Sequence, residues 1–153
     1  FFTGSGKNWD HYRRGEPVHF SFSQRYEGFE SALKAAKLRP LHLHGYEPVA
    51  LGKQIQEKKV TGVVSYSTFM PFPRAAAAAG FHIPGDLSIL SCDIEGSVTN
   101  RDSIGGATYN RYAAGRIVGE VLLRRLEKEG AAQPSMVLPF EVSIGTTAAQ
   151  AAC

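Results

Sequence analysis

The chain has 153 residues, enough for one domain with a real core, and its 43% hydrophobic and 20% charged residues are typical of an ordinary globular protein. The formal net charge of +3 is spread over separate basic pairs, which disfavours a nucleic-acid-binding track of clustered Lys and Arg. No apolar run approaches the roughly 20 residues that a membrane helix needs, so we expect no membrane partner.

The first elements are a strand, a loop and a helix. Residues 1–3 read as the end of a core strand, so we expect further chain before them. Residues 4–18 are polar and rich in turn residues, which predicts a loop. Ser21 and Gln24 have the spacing of a capping box, which predicts that a helix begins at Ser21 and ends before Pro40. Its apolar stripe repeats at steps of four and three: Phe22, Tyr26, Phe29, Leu33 and Ala36.

Strands and helices then alternate. Residues 41–46 predict a short strand, 49–59 a helix and 60–65 a β-branched strand. A helix led by Pro71 and Pro73 is predicted to run through the alanine block to Gly80, which suits a C-terminal stop. Residues 87–92 form a nearly continuous apolar strand, as expected where both faces of a sheet are covered.

The last part of the chain predicts a loop over 95–106, a short strand over 105–109 and a helix over 111–128. That helix carries its apolar residues along one side: Ala114, Ile117, Val118, Val121, Leu122 and Leu126. Residues 136–144 alternate like a strand, and Pro139 within them predicts an edge or a bulge because proline cannot donate to a sheet. Strands alternating with helices predict an α/β fold of three layers around a parallel sheet.

The sequence gives little support for catalysis or for a cofactor. The nearest approach to a phosphate loop is the segment at residues 4–7, but no helix pattern starts after it. His42 and His44 share one face of a strand without a third metal ligand nearby, so ordinary strand-end histidines are favoured. Ser5 and Ser23 lie in no nucleophile-elbow pattern. Cys92 and Cys153 make no disulfide framework, which fits a reducing cytoplasm. We therefore expect a cytoplasmic protein that is not an enzyme and holds neither metal nor cofactor.

Two charged residues are better candidates for a binding site. Arg25 is predicted in the first turn of its helix, where the helix dipole disfavours a cation, so it is either a ligand contact or a solvated arginine. Asp93 ends an apolar strand, and ligands of open α/β sheets bind beyond the carboxyl ends of strands. There it could accept hydrogen bonds from sugar hydroxyls, or serve as a turn cap. Ser65 and Tyr66 end the preceding strand and would line the same crevice.

Four stretches resemble lactose/galactose-type repressors of bacteria. Residues 25–33 (RYEGFESAL) resemble their R-x-x-G-F-x-x-A-L helix start, and residues 80–93 (GFHIPGDLSILSCD) resemble their G-x-x-V-P-x-D-I-S-V-x-G-x-D signature. Gly115, Val118 and Leu122-Leu123 are similar to their G-x-x-A-x-x-L-L helix. Leu138-Pro139 and Thr146-Thr147 look like their closing strand. The resemblance extends over residues 2–147, and the stretch at 80–93 is its most specific part.

The resemblance implies a periplasmic-binding-protein-like fold of two lobes with a small-molecule effector, sugar-like, in the cleft between them. Residues 1–106 would belong to the second lobe, 107–130 to the first lobe, 131–147 to a strand that returns to the second lobe, and 148–153 to a tail. A helix-turn-helix, a hinge helix and most of the first lobe would precede the first residue. DNA would be bound only through that preceding segment.

The resemblance also implies roles for particular residues. Arg25 and Asp93 match effector-contacting positions, and Asn110 or Arg111 matches the place where the chain crosses back beside the cleft. Ser21, Ser65 and Tyr66 complete the expected effector site. An apolar cluster that includes Phe69, Met70 and Phe72 is expected to form the contact of a homodimer.

Some positions depart from the family pattern. Ser65-Tyr66 stand where the family usually has Asn-Asp, so the cleft loses a polar contact and gains a ring that could stack on a sugar or partly fill the site. Ser91-Cys92 replace a glycine and an aromatic residue, and the arginine common in the last strand is absent near Gly145. These changes leave the identity of the effector open, including whether it is a sugar.

Two other functions remain as alternatives. The first is an exported sugar-binding protein of a transport or chemoreceptor system with the same fold. The second is a flavodoxin-like or other α/β enzyme, which would need a phosphate-binding first loop or a catalytic constellation. The stretch at residues 80–93 favours the regulator.

Overall fold

The computed structural model describes residues 1–4, 6–66, 71–94, 104–127 and 136–150. Within these ranges three helices come first, and strands and helices then alternate except where the third strand follows the second directly. They are, in chain order, α1 Lys7–Arg13, α2 Phe20–Ala35, α3 Pro48–Lys58, β1 Gly62–Ser65, α4 Pro71–Ala78, β2 Ser88–Ser91, β3 Gly105–Thr108, α5 Arg111–Glu127 and β4 Glu141–Ser143. None of the described helices combines the length and the apolar character that crossing a membrane requires.

The sheet has the order β1-β2-β3-β4 and is mostly parallel. β1, β2 and β3 run parallel, with Ser65 opposite Ser91, whereas β4 pairs antiparallel with β3. Phe2 adds single parallel bridges to Ser65 on one side and to Leu43 on the other. The predicted α/β fold around a parallel sheet is therefore confirmed, with the last strand as an antiparallel exception at its edge.

Helices cover both faces of the sheet. One apolar cluster joins α3 and α4 to the sheet through Leu51, Ile55, Phe72, Val63 and Ile89, among others. A second cluster lies on the opposite face, where Phe1, Phe22 and Tyr26 pack with Trp9 and Tyr12 of α1. Neighbouring residues such as Val63 and Val64 belong to different clusters because side chains alternate along a strand. The result is the expected arrangement of three layers.

Residues 4–18 depart from the predicted loop, because they contain α1. Gly6, in a left-handed conformation, stands at its N-cap position without a side-chain cap. Trp9 of α1 packs edge to face on Tyr26 of α2, with 4.9 Å between ring centroids. This contact with α2 stabilises α1, whose sequence has only two large apolar residues and no apolar stripe of helical spacing.

The predicted start of α2 is also wrong. The helix begins at Phe20, and the N-cap is His19, whose ring accepts a hydrogen bond from the backbone N–H of Ser21. Ser21 therefore lies inside the helix instead of capping it, and Arg25 falls in the second turn. The dipole argument for Arg25 loses most of its force, because the effect of the helix dipole falls off within the first turn.

Three further expectations are compared with the structure as follows. Of residues 41–46, only Leu43 forms a bridge to a neighbouring strand. Phe72 is wrongly placed in an exposed apolar cluster: its ring is fully buried and lies 4.4 Å from that of Phe2. Phe69 and Met70, the other residues of the expected dimer contact, lie outside the described residues.

α5 does not bury its apolar side. None of its residues is buried, although the sequence places a long apolar stripe on it. Ala114, Ile117 and Val121 are partly covered, whereas Val118, Leu122 and Leu126 are exposed. In β4 and just after it, Val142 and Ile144 are exposed as well. Within the described residues, this apolar surface of α5 and β4 is left without a covering layer.

Candidate functional site

The candidate site lies beyond the carboxyl ends of the parallel strands. Tyr66 directly follows β1, Asp93 stands two residues after β2, and Arg111 stands three residues after β3 at the start of α5. Because the three strands are parallel, their ends meet at one edge of the sheet. The first turns of α2 reach the same edge and bring Ser21 and Arg25 to it, as their contacts with Tyr66 and Asp93 show.

Asp93 stands between two arginines. Its Oδ1 accepts a hydrogen bond of 2.7 Å from Nη2 of Arg111, and its Oδ2 lies 3.7 Å from Nη2 of Arg25. The backbone of Asp93 is held by the hydroxyl of Ser91, which accepts from Asp93 N–H at 3.3 Å and donates to Asp93 C=O at 3.0 Å. The carboxylate therefore has a defined position and ties α2 to α5.

Tyr66 is anchored at both its ring and its hydroxyl. Its hydroxyl is 2.8 Å from Oγ of Ser21, and the Arg25 guanidinium lies over its ring at 4.9 Å from the centroid. The ring also packs near Phe22, with 5.9 Å between centroids. Tyr66 thus supplies a polar hydroxyl and an aromatic face at the site while supporting Arg25.

Asn110 and Arg111 make different contacts in the structure. The amide oxygen of Asn110 accepts a hydrogen bond of 2.9 Å from the N–H of Ala113, which makes it a helix cap. The Arg111 guanidinium instead reaches Asp93 and donates to the carbonyl of Ile94 at 3.1 Å. Ser65 is buried at the end of β1, and its side chain has a partner.

The structure adds a residue that sequence reasoning missed. The Arg111 guanidinium lies over the ring of Tyr109, 5.1 Å from its centroid. The position of Tyr109 directly after β3 was the available signal, since the ends of parallel strands line the crevice. The site is thus a group of two arginines, one carboxylate, two tyrosine rings and one serine hydroxyl.

His42 and His44, the two histidines on one face of the predicted strand, stack on each other, and His42 also contacts Trp9 and Thr3. The His42 ring stacks on Trp9 at 4.2 Å between centroids, and its Nε2 is 2.6 Å from Oγ1 of Thr3. Burial, with help from nearby positive charges, lowers the pKa of His42 to about 3. Within the described ranges, no group of three His, Cys, Asp or Glu side chains could hold a metal ion.

A cavity of about 480 Å³ opens at a different place, near the beginnings of the strands. Its lining is mainly apolar and includes Leu33, Leu38 and Val60, with Arg39 and Lys59 beside them. Neither Arg25, Asp93 nor Arg111 lines it. The cavity and the charged cluster therefore occupy opposite edges of the sheet.

The cluster is suited to binding. Guanidinium groups donate to carboxylate, phosphate or hydroxyl oxygens, and tyrosine offers both a hydroxyl and a flat apolar face. Arg25, Asp93 and Arg111 have 26%, 25% and 39% of their side-chain surfaces exposed, so a small molecule can reach them. This chemistry fits a polar ligand.

Comparisons with known proteins point in one direction. Residues 12–148 match the family described as the periplasmic binding protein-like domain. No curated protein matches the sequence significantly. Among solved structures, the transcription regulator CcpA of Lactococcus lactis is 21% identical with a TM-score of 0.71, over 97% of this chain and 54% of that one.

Two further regulators were solved with sugars. A LacI family transcriptional regulator from Lactobacillus casei with bound sucrose is 15% identical with a TM-score of 0.68, over 96% of this chain and 56% of that one. One from Enterococcus faecium with bound ribose is 20% identical with a TM-score of 0.64, over 82% and 50%. The chain spans about half the length of the regulators that it matches. At this level of identity the likeness establishes the fold, and the match over residues 12–148 establishes the family: the chain belongs to the periplasmic-binding-protein-like domains.

Proposed function

We propose that the chain is the effector-sensing part of a bacterial transcription regulator of the lactose/galactose-repressor type, and not an enzyme. The observation that carries the proposal is the cluster of Arg25, Asp93 and Arg111 at the carboxyl ends of the strands, where ligands of open α/β sheets bind. The similar solved structures are regulators, and several of them hold sugars, which favours this function over an exported sugar-binding protein.

The proposal includes a division into lobes. α5 follows β3 and carries an apolar stripe with no buried residue, as expected for a helix whose packing partners belong to another lobe. We therefore assign residues 107–130 to a first lobe and the rest of the described sheet to a second lobe. Closure of the two lobes over an effector would change DNA binding by a separate helix-turn-helix segment, and the regulator would act in the cytoplasm as a homodimer.

The binding role of the cluster predicts the effect of two substitutions. Arg25→Ala and Asp93→Ala should each weaken effector binding by about 1–3 kcal/mol, roughly 5- to 150-fold, because Arg25 would contact the effector and Asp93 holds both arginines in position. The measurement is calorimetric titration with the sugars found in similar regulators, namely ribose, glucose, sucrose and cellobiose.

The matched control is Lys34→Ala, which breaks an exposed ion pair with Glu30 on the same helix as Arg25. It should leave the affinity unchanged, since exposed pairs of this kind contribute little to structure. Unchanged affinity in both site variants would show that the effector binds elsewhere.

A further inference from the structure

The charges of the cluster do not balance within the described residues. Two guanidinium groups, those of Arg25 and Arg111, share the single carboxylate of Asp93. One oxygen of that carboxylate accepts a hydrogen bond from Arg111 and the other faces Arg25 at 3.7 Å, so a single negative charge is shared between two cations. The cluster therefore presents more donors and more positive charge than its own acceptor uses.

The two arginines are engaged to different degrees. Arg111 donates two short hydrogen bonds, to Asp93 at 2.7 Å and to the Ile94 carbonyl at 3.1 Å. Arg25 lies 3.7 Å from Asp93, beyond the range of a strong hydrogen bond, and rests on the Tyr66 ring. Its orientation is thus set by stacking, and most of its donors have no hydrogen-bond partner among the described residues.

We propose that the effector is a carbohydrate that bears an anionic group, a phosphate monoester or a carboxylate, which binds between Arg25 and Arg111. Planar guanidinium groups bind both kinds of anion with paired, charge-assisted hydrogen bonds. The hydroxyl groups of Ser21 and Tyr66, 2.8 Å apart, lie beside Arg25 and are available to the sugar hydroxyls. This inference rests on the proposed function and specifies the ligand class of the same site.

The test titrates the chain with matched sets of ligands at constant ionic strength. One set is D-glucose, D-glucose 6-phosphate and D-gluconate, and another is D-ribose, D-ribose 5-phosphate and D-ribonate, with inorganic phosphate as the probe of simple anion binding. We expect an anionic member of at least one set to bind about tenfold tighter or more than both its neutral partner and inorganic phosphate, because charge-assisted hydrogen bonds are the stronger ones. Comparing phosphate with carboxylate members identifies the anionic group.

Variants connect the preference to the cluster. Arg25→Gln and Arg111→Gln should each remove most of the preference for the anionic member. Arg116→Gln changes an arginine one turn further along α5, which pairs with Glu120 outside the cluster, and should leave the preference intact. Arg111→Lys, with folding checked by circular dichroism, keeps the charge and separates loss of the paired hydrogen bonds from loss of structure.

Each outcome has one meaning. If in neither set an anionic member binds more tightly than both its neutral partner and inorganic phosphate, although some member binds, the anionic effector is overturned and the sensing function stands. No binding of any member at millimolar concentration overturns the sensing function itself and this inference with it. An anionic preference that survives both glutamine variants overturns the assignment to Arg25 and Arg111.

Discussion

At the scale of single residues, His42 links burial to the pH dependence of stability. The ring is confined between Trp9 and Thr3, and burial lowers its pKa to about 3 from an ordinary value of 6.5. Between these two pH values the unfolded chain takes up a proton that the folded chain excludes. The contribution of His42 to stability is therefore complete above pH 6.5 and declines as the pH falls towards 3.

The expected result is a loss of unfolding free energy of up to about 2 kcal/mol between pH 7.5 and pH 5.0. Urea denaturation at the two pH values measures this loss. The lower value, pH 5.0, still lies above the ordinary pKa range of carboxyl groups. His42→Phe keeps the stacking on Trp9 but cannot titrate, so it should lose much less stability over the same interval. An equal loss in the variant would place the pH dependence in another group.

Only some residues of the cluster could be predicted from the sequence. Asp93 could be predicted because it ends an apolar strand, and strand ends define the crevice of an α/β fold. The sequence could not separate Asn110, which directly precedes α5, from Arg111, which begins it. Only the directions of the two side chains distinguish them. Arg25 was expected for a partly wrong reason: its ring contact with Tyr66 and ion pair with Asp93 place it in the cluster, not a conflict with the helix dipole.

At the scale of elements, the close packing of β3 against β2 and against the residue after β4 depends on two glycines. A Cβ built on Gly106 would lie 2.2 Å from the carbonyl oxygen of Ser91, and one on Gly105 would lie 1.9 Å from that of Ile144. The obstructing atoms are backbone atoms, which no side-chain rotation can move away. A side chain at either position would force β3 away from its neighbours.

Gly106→Ala should therefore lower the unfolding free energy by about 1–3 kcal/mol or more. Gly28→Ala is the matched control, because Gly28 lies within α2 and a Cβ there meets no atom within 4 Å. This control should raise stability by about 0.5–1 kcal/mol, since alanine favours a helix interior. Chemical denaturation of both variants measures the difference, and a neutral Gly106→Ala would show that β3 tolerates a shift.

Periodic elements were predictable and the irregular ones were not. α3, α4 and the strands β1 and β2 follow from apolar spacing together with Pro71, Pro73 and Gly80 as helix boundaries. α1 was missed because its stability comes from aromatic contacts with a distant helix, as Trp9 with Tyr26 illustrates. The start of α2 was misplaced because a histidine, which is not a usual N-cap residue, performs the capping.

At the scale of the whole molecule, α5 and β4 carry an exposed apolar surface within the part of the chain that the structure describes. Leu122 and Leu126 are 59% and 72% exposed, and Val142 is 75% exposed. The sequence predicts an apolar stripe on α5 that another surface should cover. The spacing of apolar residues does not identify that surface. For the same reason, the division into lobes and the dimer contact could be expected only from the resemblance.

Replacing both Leu122 and Leu126 by Gln should reduce binding of a hydrophobic dye and any self-association of the chain, because contiguous exposed apolar groups promote both. The unfolding free energy should change by less than about 0.5 kcal/mol, as for other surface substitutions. Dye fluorescence and analytical ultracentrifugation measure the two effects. Leu51→Ala, at a fully buried position, is the contrasting control and should cost about 2–5 kcal/mol.

The attachment of α5 at its first residue has a mechanical consequence. Arg111 begins the helix and holds Asp93 and the Ile94 carbonyl, whereas no side chain along α5 is buried. The hydrogen bonds of Arg111 therefore hold the N-terminal end of α5 in the charged cluster. The 17 residues of α5 extend over about 25 Å, so a tilt of about 10° at Arg111 displaces Glu127 by roughly 4 Å. A ligand that bound between Arg25 and Arg111 and tilted α5 in this way would displace the C-terminal end of the helix. The displacement would be large enough to rearrange residues that pack against that end.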